Sequence, residues 1–220
     1  MEYWEKIEQN KTPSTSRVLD GFINKIDSQS RVVEIGCGYG RILDQCIPKG
    51  CFVYGIDINK NEIDVLKLKY KDYENVVLEE NDIADINFKP KVTYKFDYVF
   101  INGLLGALNL EQRTIALKNI LKLIHTGSVI HLSEFLLFEE NLEMKDRYLK
   151  DLAETEEYGT FLVYNKEGEI VYQTHNFSEN EIQDLISEDF KIIKKELLDF
   201  KSYSGKIKPG IILLLQTRNK

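Results

Sequence analysis

The stretch Val32-Val33-Glu34-Ile35-Gly36-Cys37-Gly38-Tyr39-Gly40-Arg41 constrains the fold of this chain more than any other. Apolar residues and one acid lead into three glycines at alternate positions. An apolar run that stops at such glycines reads as a buried strand turning sharply into a helix, because glycine adopts dihedrals closed to other residues and lets a ligand approach the backbone. The following helix would turn its first N–H groups toward that ligand. The pattern therefore points to a nucleotide-like group at the end of the first strand.

Spacing removes two kinds of nucleotide site. The phosphate-cradling G-x-x-x-x-G-K-[ST] loop is absent, since Gly40 is followed by Arg41 with no Lys-Ser or Lys-Thr pair. The dinucleotide fingerprint needs a small third residue for tight helix–strand packing, and Arg41 stands there.

The rest of the chain alternates strand and helix signals. Leu19, Phe22, Ile23 and Ile26 repeat at helical spacing after Thr12-Pro13, predicting a helix over 14–28. Strands are predicted at 31–35, 51–56, 75–78, 96–101 and 128–135. Between them, Asn59 with Glu62 and Asn109 with Gln112 fit capping boxes for helices. Residues 139–157 read as a charged amphipathic helix, 159–174 as a hairpin turning at Lys166 to Gly168, and Ser178 with Glu181 as a further capping box. Strands at 190–198 and 210–217 close the chain. Such alternation predicts an α/β fold with a mostly parallel sheet and helices on both faces.

Composition narrows the class. At 220 residues, 43% hydrophobic and 30% charged, the chain reads as one domain, 1–220, able to bury a sizeable core. A net charge of -7 argues against a broad nucleic-acid-binding face. Cys37, Cys46 and Cys51 lack metal-ligand spacing and read as reduced thiols of a cytoplasmic protein. The polar Met1–Lys6 segment lacks a signal-peptide core. The longest apolar run, Ile211 to Leu215, is too short to span a bilayer. No His pair or carboxylate cluster suggests a metal.

Taken together, Glu34-Ile35-Gly36-Cys37-Gly38-Tyr39-Gly40 resembles the first motif of class I S-adenosylmethionine-dependent methyltransferases. The resemblance implies a Rossmann-like seven-stranded sheet with its last strand antiparallel, and S-adenosylmethionine as cofactor. It implies that Gly36, Cys37, Gly38 and Gly40 pack on the methionine part and that Glu34 orients its amino group. Asp57, about twenty residues on, would take the ribose hydroxyls, with Ile58 against the adenine. Asp82 would accept from the adenine amino group beside Ile83, and Asn102 and Gly103 would close the site at the end of strand four. Asn102-Gly103-Leu104-Leu105 departs from the Pro-Pro-aromatic tetrad of base-methylating enzymes.

The expected acceptor is a small molecule, covered by the helix-plus-hairpin insertion at 136–176. A protein or RNA acceptor, or a non-catalytic cofactor-binding module, is the alternative. His175 and Glu134 are the candidate general bases. His131 reads as a hydrogen-bonded core residue and His125 as a helix C-terminal residue. The aromatics of the insertion read either as the lining of an apolar substrate pocket or, in preference, as the hairpin's own small core. Tyr3 and Trp4 read either as a lid over the cofactor or as core.

Overall fold

The computed structural model describes residues 18–202 and 205–218. Tyr3, Trp4 and the first part of the predicted 14–28 helix lie outside them. Five strands, β1 (Arg31–Ile35), β2 (Phe52–Asp57), β3 (Val76–Glu80), β4 (Phe96–Asn102) and β5 (Ile124–Phe135), pair in parallel. Two further strands, here β8 (Phe190–Lys201) and β9 (Ile207–Thr217), complete a sheet ordered β3-β2-β1-β4-β5-β9-β8. Strand β9 slots between β5 and β8 and runs antiparallel to both. A separate two-stranded sheet is made by β6 (Thr160–Tyr164) and β7 (Ile170–His175).

Alternation of side chains across the sheet divides the core into two layers. Val33, Tyr54, Ile56, Val99, Ile101, Ile130 and Leu132 face one side. There they meet Ala116, Leu117 and Ile120 of α3 (Leu110–Leu121) and Ile182 and Ile186 of α5 (Glu179–Ser187). Val32, Val53 and Phe100 face the other side, against Leu43 and Cys46 of α1 (Leu43–Cys46) and Ile63 and Leu66 of α2 (Lys60–Lys69). Burial on both faces is why these strands read as near-continuous apolar runs. Helix α4 (Leu142–Thr155) buries Met144 and Tyr148 against Phe161 of β6, forming a third, smaller cluster.

The capping boxes at Asn109–Gln112 and Ser178–Glu181 both form. The third does not close as predicted. Asn59 caps α2 by accepting from the Asn61 and Glu62 amides, but its own N–H donates to Asp57 Oδ1 at 2.8 Å. Glu62 is thereby left to face elsewhere.

Three more expectations are corrected. Among the described residues of 14–28, only a single 3-10 turn, Ile23–Lys25, is helical. Gly21, at φ 75°, interrupts the helix, although Leu19, Phe22 and Ile26 are buried as their spacing required. The helix after the glycines is only four residues long before a 3-10 turn containing Pro48, which cannot donate to a helical ladder. Its Leu43 N–H donates to Glu34 Oε2 at 3.3 Å, inside the protein rather than to a ligand. His125 lies not at a helix end but at the start of β5, with its Nε2 3.0 Å from Asp97.

Candidate cofactor and acceptor site

The C-terminal ends of β1, β2, β4 and β5 open into one cavity of about 280 Å³. Open α/β sheets bind ligands at this edge. Of the predicted cofactor residues, Glu34, Gly36, Cys37, Gly38, Asp57, Ile58, Asp82, Ile83, Asn102 and Gly103 line it. Gly40 does not. It sits at φ 74° with its α-carbon against α2, where an added Cβ would lie 2.9 Å from Leu66 Cδ2. Gly40 thus seats the loop on the helix layer.

The loop is held to β2 by its own amides. Gly36 and Cys37 N–H both donate to Ile56 O, at 2.8 and 3.0 Å. Gly38 N–H donates to Asp57 Oδ2 at 2.7 Å. At φ 47°, Gly38 passes below the Glu62 carboxylate, and an added Cβ would stand 3.3 Å from Glu62 Oε2. Asp57, its two oxygens each taking one amide, keeps further lone pairs. Burial pushes its pKa above the ordinary carboxylate value.

Glu34 is almost fully buried, and burial pushes it up to about 8 against the lowering effect of the Leu43 amide. Glu62 rises to about 7, first through burial and then through the nearby Asp57 charge. Three carboxylates therefore surround the loop. Glu62, Tyr39, Arg41 and Asn81 also line the cavity and were not singled out from sequence. The spacing of Glu62 from Asn59 points to helix capping instead.

At β4, Asn102 Oδ1 accepts from Ser133 Oγ at 2.8 Å and lies 3.1 Å from His131 Nδ1. Its Nδ2 is buried without a partner among the described residues. Asp82 Oδ1 accepts the Ala84 amide at 2.7 Å. Glu134, at the end of β5, accepts from Leu105 N–H at 2.7 Å and Gly106 N–H at 3.3 Å. Burial pushes it up to about 8.

His175 lines the cavity, yet its ring is tied into the fold. Its Nδ1 lies 2.8 Å from Thr160 Oγ1 and 3.3 Å from Glu157 Oε2. Its Nε2 lies 2.9 Å from Glu181 Oε1, off the hydrogen-bond direction. Glu157 also forms a two-pronged ion pair with buried Arg113. Glu157, His175 and Glu181 are close enough together to hold a metal ion. The two carboxylates, however, approach opposite nitrogens of the ring, and Arg113 already balances one of them.

The cavity continues beneath α4 and the β6–β7 hairpin, where Arg147, Phe161, Val163, Tyr172, Thr174, Ser202 and Lys208 line it. Phe161 thus belongs both to the small cluster under α4 and to the cavity wall.

The sheet order, the antiparallel strand between β5 and β8, and the glycine loop at β1 define a class I methyltransferase fold. A family model described as a methyltransferase domain matches residues 33–130. Over that stretch the chain is similar to methyltransferase domains. It resembles a solved SAM-dependent methyltransferase from Methanosarcina mazei with a TM-score of 0.84 and 22% identity, over 93% of this chain and 100% of that one. It also resembles the Burkholderia thailandensis 1,6-didemethyltoxoflavin-N1-methyltransferase, solved with 1,6-didemethyltoxoflavin and S-adenosylhomocysteine, with a TM-score of 0.63 and 15% identity over 90% and 75% of the two chains. At these identities the likeness is one of fold. A curated relative, ribosomal RNA small subunit methyltransferase A of Persephonella marina, is 34% identical over 67 residues, 29% of this chain and 24% of that protein. The chain thus aligns with about a quarter of that relative's length. No helix among the described residues is long and apolar enough to cross a membrane.

Proposed function

We propose that this protein transfers a methyl group from S-adenosylmethionine to a small-molecule acceptor held beneath α4 and the hairpin. The observation that carries the reading is a single cavity. It joins Glu34, Asp57, Asp82 and Asn102 at one end to the helix-plus-hairpin cover at the other. The residues fit the cofactor. Asp57 has lone pairs left for ribose hydroxyls, Gly38 leaves room that a Cβ would fill, and Asn102 Nδ2 is a buried donor in need of an acceptor. Buried unpaired donors cost about 1–3 kcal/mol, which a ligand would recover.

When bound, the cofactor supplies an electrophilic methyl on its sulfonium. The protein's residues hold the acceptor in line and exclude water, which supplies several kcal/mol of the barrier reduction. Of the two candidate bases, Glu134 suits the role better. It lines the cavity, and with its pKa raised to about 8 it mostly holds a proton at pH 7, so it acts as a base through a deprotonated fraction that grows as pH rises toward 8. His175, wedged between Glu157 and Glu181, acts in this reading as a positioning group for the hairpin.

The short match to a ribosomal RNA methyltransferase favours an RNA acceptor. The net charge of -7 and the helix-plus-hairpin cover over the cavity weigh against it. Calorimetry with S-adenosylmethionine and S-adenosylhomocysteine, followed by labelled methyl transfer to separate metabolite and RNA pools, tests both readings. No binding of either nucleoside sinks the methyltransferase reading, and label confined to RNA sinks the small-molecule acceptor.

A further inference from the structure

We propose that Arg147 and Lys208 form a binding site for an anionic group of the acceptor, a carboxylate or phosphate carried on an apolar body that rests against Phe161. The proposal rests on the reading that the glycine-loop end of the same cavity takes the cofactor.

The two cations come from distant parts of the chain. Lys208 belongs to β9 and precedes Pro209, whose carbonyl accepts the Leu136 amide at 2.9 Å just past the end of β5. It therefore stands at the ligand edge of the sheet. Arg147 descends from α4 on the cover. Both line the cavity, and both flank one ring. The Arg147 guanidinium carbon lies 4.3 Å and the Lys208 Nζ 4.9 Å from the Phe161 ring centroid.

Neither cation is neutralised by a side chain among the described residues. Among the described residues, no acidic side chain lies within 4.0 Å of either. The acid that acts on Lys208 is Glu143, but both of its oxygens are held by Lys206 Nζ, at 2.7 and 2.8 Å. Asp151, one turn past Arg147, accepts the Leu162 amide at 2.9 Å. Arg147 donates one N–H to Leu162 O at 3.0 Å, which fixes the guanidinium without balancing its charge.

Lys208 is only 8% exposed. Its ammonium is held down to about 8, first by burial and then by Arg147. Two like charges gathered in a half-closed space are costly without a counter-charge. A phosphate or carboxylate entering the cavity beside them would recover that cost through charge-assisted hydrogen bonds. In a chain of net charge -7, the pair is not a by-product of basic composition. It is also set within a roofed cavity, unlike the rows of exposed cations that track a nucleic-acid backbone.

Ligand-observed NMR titrations of the full chain test this, with phenyl phosphate and benzoate set against benzyl alcohol and benzamide, each with and without S-adenosylhomocysteine. The anions should bind at least about tenfold more tightly than the neutral probes. Lys208→Met and Arg147→Gln should each weaken the anions about tenfold, leaving the neutral probes and S-adenosylhomocysteine affinity unchanged. Anions and neutral probes binding alike, anion affinity unchanged in both variants, or no anion binding at about 10 mM would overturn the proposal. So would displacement of phenyl phosphate by a short RNA at lower concentration than inorganic phosphate. A wild-type chain that ignores S-adenosylhomocysteine but still selects the anions would sink the cofactor reading alone.

Discussion

His131 Nδ1 lies 3.1 Å from Asn102 Oδ1, and this contact sets the orientation of an amide on the cavity wall. Leu19 N–H donates to His131 Nε2 at 3.0 Å, so the ring's proton sits on Nδ1 and is given to Asn102 Oδ1. Ser133 Oγ donates to the same oxygen. The Asn102 Nδ2 group is thus fixed as a donor with no partner among the described residues.

This arrangement requires a neutral imidazole, and burial holds His131 down to about 4. The unfolded ring titrates near 6.5. Its contribution is therefore complete above that pH and is lost as pH falls toward 4. The shift is worth about 3 kcal/mol in all, of which about 2 kcal/mol is gone by pH 5. Denaturant titrations at pH 7 and pH 5 should show a smaller pH-dependent loss in His131→Gln than in the parent chain. Equal losses would refute the assignment.

Glu34 carries the opposite sign. With its pKa raised to about 8, it disfavours the folded state increasingly as pH rises from its unfolded value through 8. At pH 7 it holds a proton. A cofactor ammonium placed beside it would lower its pKa. Binding of S-adenosylhomocysteine at pH 7 should then release up to about one proton, read by calorimetry in buffers of different ionisation enthalpy. Glu34→Gln should cut that release while Glu62, raised to about 7, remains free to contribute. Identical proton release in Glu34→Gln would exclude the ammonium contact.

Asp57→Ala should weaken S-adenosylhomocysteine binding by about 1.5–3 kcal/mol, the value of a lost hydrogen bond to a charged group. The same change frees the Gly38 and Asn59 amides, so melting temperature should fall as well. Affinity unchanged from the parent, measured where the variant is folded, would remove Asp57 from the ribose site.

Gly40→Ala separates scaffold from site. Its φ of 74° and the 2.9 Å approach to Leu66 should together cost about 2–4 kcal/mol of stability. Because Gly40 does not line the cavity, the folded variant should keep its S-adenosylhomocysteine affinity. A large loss of affinity in a folded variant would place Gly40 in the site after all.

Local signals located most elements. The apolar runs marked β1, β2, β4 and β5 because strands buried on both faces need apolar residues throughout. The boxes at Asn109 and Ser178 formed because their partners are three residues away and nothing nearby competes. At Asn59 the same pattern misled, since the Asp57 carboxylate, two residues back, takes the Asn59 amide that Glu62 was expected to take. At 14–28 the helical spacing was genuine burial, but Gly21 broke the helix. His125 looked like a helix terminus because the start of β5 is polar where it emerges from the sheet.

By itself the sequence determined the alternation of strands and helices, the glycine turn and the acids at strand ends, because each depends on neighbours a few residues away. Tertiary structure alone decided what those groups meet. Insertion of β9 beside β5 brings Lys208 to the ligand edge, and folding of α4 over the hairpin brings Arg147 to the same ring. Burial then gives Glu34, Glu134 and His131 proton affinities that no local pattern encodes, since desolvation depends on everything packed around a group.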